Sequence, residues 1–160
     1  MIIWIMGLSG SGKTTFIKKI LKKHKKKLIH IDGDAIRNIY DKKIGHSQKD
    51  RQINAARISK LVKYLSDQKI DIVVSVLSNF PKWLKWNKKN LKDYFLVYLK
   101  TDKKILIKRK PNLYLKLKKN VVGKDIKFNE PKKTDYTINN CTSIVSLKKE
   151  VIKILNSTNK

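Results

Sequence analysis

Residues 2–14 read Ile2-Ile3-Trp4-Ile5-Met6-Gly7-Leu8-Ser9-Gly10-Ser11-Gly12-Lys13-Thr14, an apolar run that stops at a glycine-rich turn ending in a lysine and a hydroxyl residue. Gly7 to Thr14 fits G-x-x-x-x-G-K-[ST], and it stands between a strand-like run and an amphipathic stretch, the setting in which that pattern carries meaning. Glycines let the backbone curl until successive amide N–H groups converge on phosphate oxygens, and the dipole of the helix that follows adds to the attraction. Lys13 is then expected to reach the β and γ phosphates and Thr14 to hold Mg²⁺ through its hydroxyl. Gly7, Ser9, Gly10, Ser11, Gly12 and Thr15 complete the cradle. No N-K-x-D segment able to read guanine follows, so ATP is favoured over GTP.

Working outward, apolar runs alternate with amphipathic stretches. Ile2 to Met6, Leu28 to Ile31, Asp71 to Leu77, Tyr94 to Leu99 and Tyr136 to Ile138 read as strands. Between them the spacing predicts a helix over about 13–26 with Phe16, Ile17, Ile20 and Leu21 inside, and a long one over about 47–68. The long helix opens with Ser47 as N-cap and Asp50 three residues on, and it would bury Ile53, Ile58, Leu61, Val62 and Leu65. Trp83 to Leu91 reads as a further helix, Thr101 caps a short one over about 102–108, and Ser143 to Leu155 reads as a closing helix. Residues 109–131 are polar, basic and weakly periodic, which predicts a basic loop or lid. Strict alternation of strand and helix implies an α/β fold: a parallel five-stranded sheet with helices on both faces, of the P-loop NTPase type.

Length and composition set the outer limits. A chain of 160 residues with 41% hydrophobic content suits one domain over residues 1–160 with a sizeable core. The six apolar residues of Met1 to Met6 are far short of the roughly 20 that span a bilayer, so no membrane association is expected. One cysteine, Cys141, rules out an internal disulfide framework and suits a small core residue in a reducing, cytoplasmic protein. The formal charge of +27 invites a nucleic-acid reading. Yet only four of the 39 basic residues are arginine, and the lysines are spread through nearly every segment instead of forming one stripe. The rival to a small-molecule enzyme is an RNA-associated ATPase, prompted by the aromatics among lysines at Phe80-Pro81-Lys82-Trp83-Leu84-Lys85-Trp86. Trp83 and Trp86, three apart, read more simply as the packing edge of a helix.

A second constellation follows the second strand. Asp32-Gly33-Asp34 sets two carboxylates at the carboxyl end of the sheet, where ligands bind in open α/β folds. A carboxylate there can orient Mg²⁺ or accept the proton of an attacking hydroxyl, the positioning and charge neutralisation that phosphoryl transfer requires. The alternative is a turn capped by an Asx side chain. Downstream, Arg51, Asn54 and Arg57 are spaced three apart and share one stripe of the long helix, with Arg37 upstream.

The ordered set GLSGSGKTT, DGDAIR, GHSQKDRQINAARI, SVLSNFP and VVGKD resembles the adenylyl-sulfate (APS) kinase family, over residues 2 to about 155. The resemblance implies transfer of the ATP γ-phosphoryl to the ribose 3′-hydroxyl of a nucleotide. It gives Lys13 and Thr14 to ATP and Mg²⁺, and Asp32 and Asp34 to metal and hydroxyl positioning. Arg37, Arg51 and Asn54 match positions that grip the acceptor. Lys119 matches a lid lysine that contacts anionic substrate, and Arg109 matches the basic residue opening the lid, with Lys108 the alternative. Ser78 matches a serine sometimes assigned as a phosphoserine intermediate; a positioning hydroxyl is the plainer reading, since in-line transfer needs no covalent step.

Departures from the family gather at the acceptor's base. Two phenylalanines that sandwich adenine in the family are matched here by His46 and Val121, and the segment Leu77-Ser78-Asn79-Phe80-Pro81 loses an arginine and gains the amide of Asn79. Stacking on an aromatic plane is worth about 1–3 kcal/mol per base, so the changes disfavour a purine. The expected acceptor is a small nucleotide, leaning to a pyrimidine one such as cytidine diphosphoramidate, used in surface-polysaccharide modification. A true APS kinase with a tolerant pocket is the alternative. Family members often pair, so a homodimer is expected, and no nucleic-acid polymer.

Overall fold

Five apolar runs become strands: β1 (Ile2–Met6), β2 (Ile29–Asp32), β3 (Ile72–Val76), β4 (Tyr94–Lys100) and β5 (Tyr136–Asn139). In a computed structural model of the chain they form one sheet in the order β2-β3-β1-β4-β5, every pairing parallel. The structure describes residues 1–23, 28–39, 44–77, 80–116, 119–139, 153, 154 and 156.

A central parallel strand is covered on both faces, which is why β1 can be apolar at every position. Alternate side chains take opposite sides. Ile2, Trp4 and Met6 join Ile31, Val74, Tyr98 and the long helix α3 (Gln48–Asp67), which contributes Ile58 and Val62. Ile3 and Ile5 join Val73, Val97 and Phe16, Ile17 and Ile20 of α1 (Lys13–Lys23). Fully burying each such side chain is worth about 1.5–3 kcal/mol. The expected sandwich of helix, parallel sheet and helix is what the chain adopts.

The helix boundaries follow local chemistry. At the start of α3 the Asp50 amide donates to Ser47 Oγ and the Ser47 amide donates to Asp50 Oδ2, each at 3.2 Å, completing the capping box expected there. Helix α4 runs Pro81–Asn90, two residues earlier than expected, because Pro81 can open a helix without forfeiting a bond. The expected cap at Thr101 is corrected: β4 continues through Lys100, Asp102 takes the N-cap position, and α5 spans Lys103–Arg109. A six-residue helix α2 (Gly33–Asn38), which periodicity is too short to reveal, follows β2 directly. Two residues expected inside, Leu21 and Ile53, are 38% and 37% exposed; Ile53 lies about 140° around α3 from the buried Ile58.

Residues 109–131 are more structured than their composition predicts. They carry the helix α6 (Pro111–Tyr114) and a compact turn in which the Lys124, Asp125 and Ile126 amides all donate to Val121 O. Residues 24–26 of the first expected helix, Cys141 and most of the closing helix lie outside the described residues, although Ile154 is buried against the α1 side of the sheet. Among the described residues no helix is long and apolar enough to cross a membrane.

Candidate active site

The turn between β1 and α1 closes through the Ser11 amide donating to Leu8 O at 3.0 Å, with φ of 86° at Gly10 and 92° at Gly12, angles that side chains other than glycine rarely adopt. Lys13 folds back into this loop, donating from Nζ to Gly7 O (2.7 Å) and Leu8 O (3.1 Å). Burial pushes its ammonium down to about 8, partly opposed by the carboxylates of Asp34 and Asp32. Thr14 and Thr15 are exposed in the first turn of α1.

The segment after β4 holds this loop from the other side. Arg109 Nη1 donates to Gly10 O at 3.1 Å and Tyr114 Oη to Ser9 O at 2.8 Å. Gly123, at φ 87°, lies so close that a Cβ there would sit 3.0 Å from Leu8 Cδ2. Lys119 is exposed, and Arg51 Nη2 donates to the neighbouring Asn120 O at 3.1 Å, tying α3 to this segment. Val121 is 6% exposed and packs with Leu106 and Tyr114, so its side chain fills a small core of its own.

Asp32 does two things at once. As N-cap of α2 its Oδ1 accepts from the Asp34 amide (2.9 Å) and the Ala35 amide (3.2 Å), and its Oδ2 accepts from Ser75 Oγ at 2.6 Å. Burial raises its carboxyl pKa, but the Ser75 hydroxyl and the two amides outweigh that and hold it below the ordinary value. The Asx cap and the functional carboxylate weighed as alternatives from sequence are therefore compatible. Asp34, in the first turn of α2, is 83% exposed and 4.0 Å from Arg37 Nη2.

Arg37, Arg51 and Asn54 are all buried, at 8%, 7% and 4% exposure, an uncommon state for such side chains. They line one cleft together with Lys13, Asp32 and Asp34. Arg37 Nη1 donates to Gly45 O (2.8 Å) and to His46 Nδ1 (2.6 Å), which makes Nδ1 an acceptor and the imidazole neutral. Burial and the cations of Arg37 and Arg51 keep the His46 pKa below its ordinary value. Arg51 Nε donates to His46 O at 2.9 Å, and Asn54 Nδ2 to Gly33 O at 2.7 Å. Two buried polar atoms in this cleft, Arg37 Nε and Asn54 Oδ1, have no partner among the described residues.

Part of the cleft lining is aromatic. Phe80 and Trp83 line it with Trp4 and Leu77. Sequence reasoning noticed the Phe80–Trp86 cluster but read it as packing, because nothing in the spacing says which face of α4 looks into the site. Ser78 and Asn79 lie outside the described residues.

The profile of the family described as adenylylsulphate kinase matches residues 1–139. The chain belongs to that family. It is 40% identical over 163 residues to the cytidine diphosphoramidate kinase of Campylobacter jejuni subsp. jejuni serotype O:2, covering 94% of this chain and 93% of that one. To the adenylyl-sulfate kinase of Buchnera aphidicola subsp. Acyrthosiphon pisum it is 30% identical over 169 residues, covering 99% and 82%. The fold matches the Mycobacterium tuberculosis APS kinase CysC, solved with AMPPNP and APS, with a TM-score of 0.85 at 23% identity over 99% of this chain and 97% of that one. Membership makes the chain an APS kinase-like phosphotransferase, and the family binds ATP.

Proposed function

We propose that this kinase transfers the γ-phosphoryl of ATP to the ribose 3′-hydroxyl of a small nucleotide, and that the nucleotide is a pyrimidine one such as cytidine diphosphoramidate. The observation that carries the acceptor site is the pair of buried, unpartnered atoms Arg37 Nε and Asn54 Oδ1 beside Lys13 and Asp34. Leaving buried polar groups unpaired costs about 1–3 kcal/mol each, a loss that a ligand offering both an acceptor and a hydroxyl would recover. Asp34 would accept the proton of the attacking hydroxyl. Lys13, Arg109 and Lys119 would meet phosphate charge, and Arg37 and Arg51 would hold the acceptor's ribose and phosphate end.

The donor set suits Mg²⁺. Thr14 Oγ1 and the Asp32 carboxylate are hard oxygens, and among the described residues no group of three or more His, Cys, Asp or Glu could form a complete metal cage. Mg²⁺ characteristically takes one or two protein oxygens and completes its shell with phosphate and water. When bound it would neutralise charge on the transferring phosphate.

The choice of base rests on His46 and the aromatic wall. Val121 carries no ring and packs against Leu106 and Tyr114, and His46 offers only a small imidazole held at Nδ1 by Arg37, so the two phenylalanine planes of a purine sandwich are missing. Phe80 and Trp83 supply aromatic surface in the cleft instead. Trp86 packs edge-on against Trp83 at 5.8 Å, which favours a small ligand in the cleft over a polymer stacked outside it. The 40% identity to a cytidine diphosphoramidate kinase points the same way. A true APS kinase is the second reading, favoured by the adenylyl-sulfate kinase relatives.

Steady-state kinetics with both acceptors separates the readings: kcat/KM for cytidine diphosphoramidate is expected to exceed that for adenylyl sulfate by tenfold or more, and the reverse order overturns the pyrimidine assignment. Trp83→Ala is expected to raise the acceptor KM about tenfold, the loss of one stacking contact, with KM for ATP unchanged. An unaltered acceptor KM in that variant would remove the base from this wall.

A further inference from the structure

One hydrogen-bonded chain in the molecule is left unexplained by the roles above. His30 Nε2 lies 3.0 Å from Ser75 Oγ, and Ser75 Oγ donates to Asp32 Oδ2 at 2.6 Å. His30 and Asp32 are two residues apart on β2, so their side chains leave the same face of the edge strand, and Ser75 sits opposite Asp32 in the register with β3. His30 is exposed while Ser75 is 4% exposed, so the chain runs from the surface to a carboxylate of the cleft.

A serine hydroxyl carries one proton on a free rotor. If that proton is spent on Asp32, the oxygen can only accept from His30, which requires the imidazole to carry its proton on Nε2. With the other tautomer, Nε2 becomes an acceptor, the serine proton is drawn toward it, and Asp32 loses the shortest of its three hydrogen bonds. The other two, from the Asp34 and Ala35 amides, both fall on Oδ1. Ser75 is thus the one donor among the described residues that fixes Oδ2, and His30 sets the direction in which Ser75 donates.

We infer that His30 is a positioning residue which, through the Ser75 hydroxyl, fixes the plane of the Asp32 carboxylate for the phosphoryl-transfer step. The inference rests on the role proposed above for Asp32, but its first readout does not. A packing role alone would need neither a particular tautomer nor a donor at position 30. With Nε2–H fixed, the Asp32 carboxylate keeps one orientation toward the cleft in every turnover. With the donor lost, the Ser75 hydroxyl is no longer held toward Oδ2, the carboxylate keeps only its two amide bonds on Oδ1, and the step slows without the acceptor being bound less well.

The test has two arms on the full-length protein. Nitrogen-15 NMR of the imidazoles in the ligand-free protein is expected to show His30 as the Nε2–H tautomer, and to show that preference lost in Ser75→Ala. In kinetics, His30→Leu is expected to lower kcat about tenfold with KM for ATP and acceptor within twofold, and His30→Gln, which restores an N–H donor, to recover most of the loss. Thermal unfolding of each variant separates this from simple destabilisation. An Nδ1–H tautomer in the wild type overturns the inference, and so does a His30→Leu variant with unchanged kcat or a His30→Gln variant as slow as His30→Leu. If the tautomer is as expected but neither nucleotide acceptor is phosphorylated by the wild type, it is the proposed function that fails and not the hydrogen-bonded chain.

Discussion

Replacing Lys13 by Met should lower kcat/KM by about 10²- to 10³-fold and, at the same time, raise the melting temperature of the ligand-free protein. The first effect follows from removing a preorganised cation from the place where phosphate charge develops. The second follows from the lysine's own titration. Its ammonium has an ordinary pKa of 10.5, and burial in the fold pushes that down to about 8 despite the attraction of Asp34 and Asp32. Between those values the unfolded chain binds more protons than the folded one, so stability rises with pH across that window. The destabilisation is fully present below about pH 8 and fades as pH approaches 10.5. It amounts to about 3 kcal/mol at most, and the Nζ bonds to Gly7 O and Leu8 O, lost in the variant, offset part of it. A net gain of about 1–2 kcal/mol at pH 7 corresponds to about 2–8 °C in Tm, and it should shrink at pH 10. Thermal unfolding at the two pH values checks this. A Met variant that melts lower than the parent at pH 7 would show that Lys13 stabilises the empty loop, contrary to its burial. On the proposed function, the wild type carries the cost because the charge would be needed once phosphate arrives, a trade between stability and activity common at binding sites.

How much of this was visible beforehand depends on the range over which each signal acts. The sheet was legible because β1 is apolar at five consecutive positions and is followed at once by a glycine, a length and flank that suit a strand buried on both faces. Ser47 and Asp50 announced their capping box because both partners sit within one turn. By contrast α2 was missed: six residues complete fewer than two turns, and its start is encoded in Asp32, a residue also readable as a ligand. The same limit applies to the site. Lys13, Asp32, Asp34, Arg37, Arg51 and Asn54 belong to local motifs, and they converge in one cleft. Val121 matched a family position by order along the chain, but its environment is set by Leu106 and Tyr114, which the sequence does not connect to it. His30, Ser75, Phe80 and Trp83 reach the site through strand register and helix rotation, quantities that a pattern of 2 or 3.6 does not determine without the partner.

Asp34→Asn is the sharpest test of the chemistry, with kcat expected to fall by about 10²- to 10⁴-fold, the range lost when a positioned proton acceptor is removed. The substitution keeps the shape of the side chain and removes only its charge and basicity. Asp34 is 83% exposed, and its one ion pair, to Arg37 Nη2, spans 4.0 Å. Its place in the first turn of α2 favours a negative charge by about 0.3–1 kcal/mol, so stability should fall by no more than about 1 kcal/mol. This is what separates it from Asp32, whose carboxylate caps α2 and accepts from Ser75, so that its replacement would disturb fold and chemistry together. Because the Asn variant retains Arg37, Arg51 and Asn54, acceptor KM should stay within a few-fold, and the loss should appear in kcat, as expected for an interaction made only in the transition state. Kinetics across a range of acceptor concentrations, with Tm measured on the same samples, gives both quantities. If kcat stays within tenfold of the parent while Tm is unchanged, the attacking hydroxyl surrenders its proton elsewhere and Asp34 serves only to balance the charge of Lys13 and Arg37.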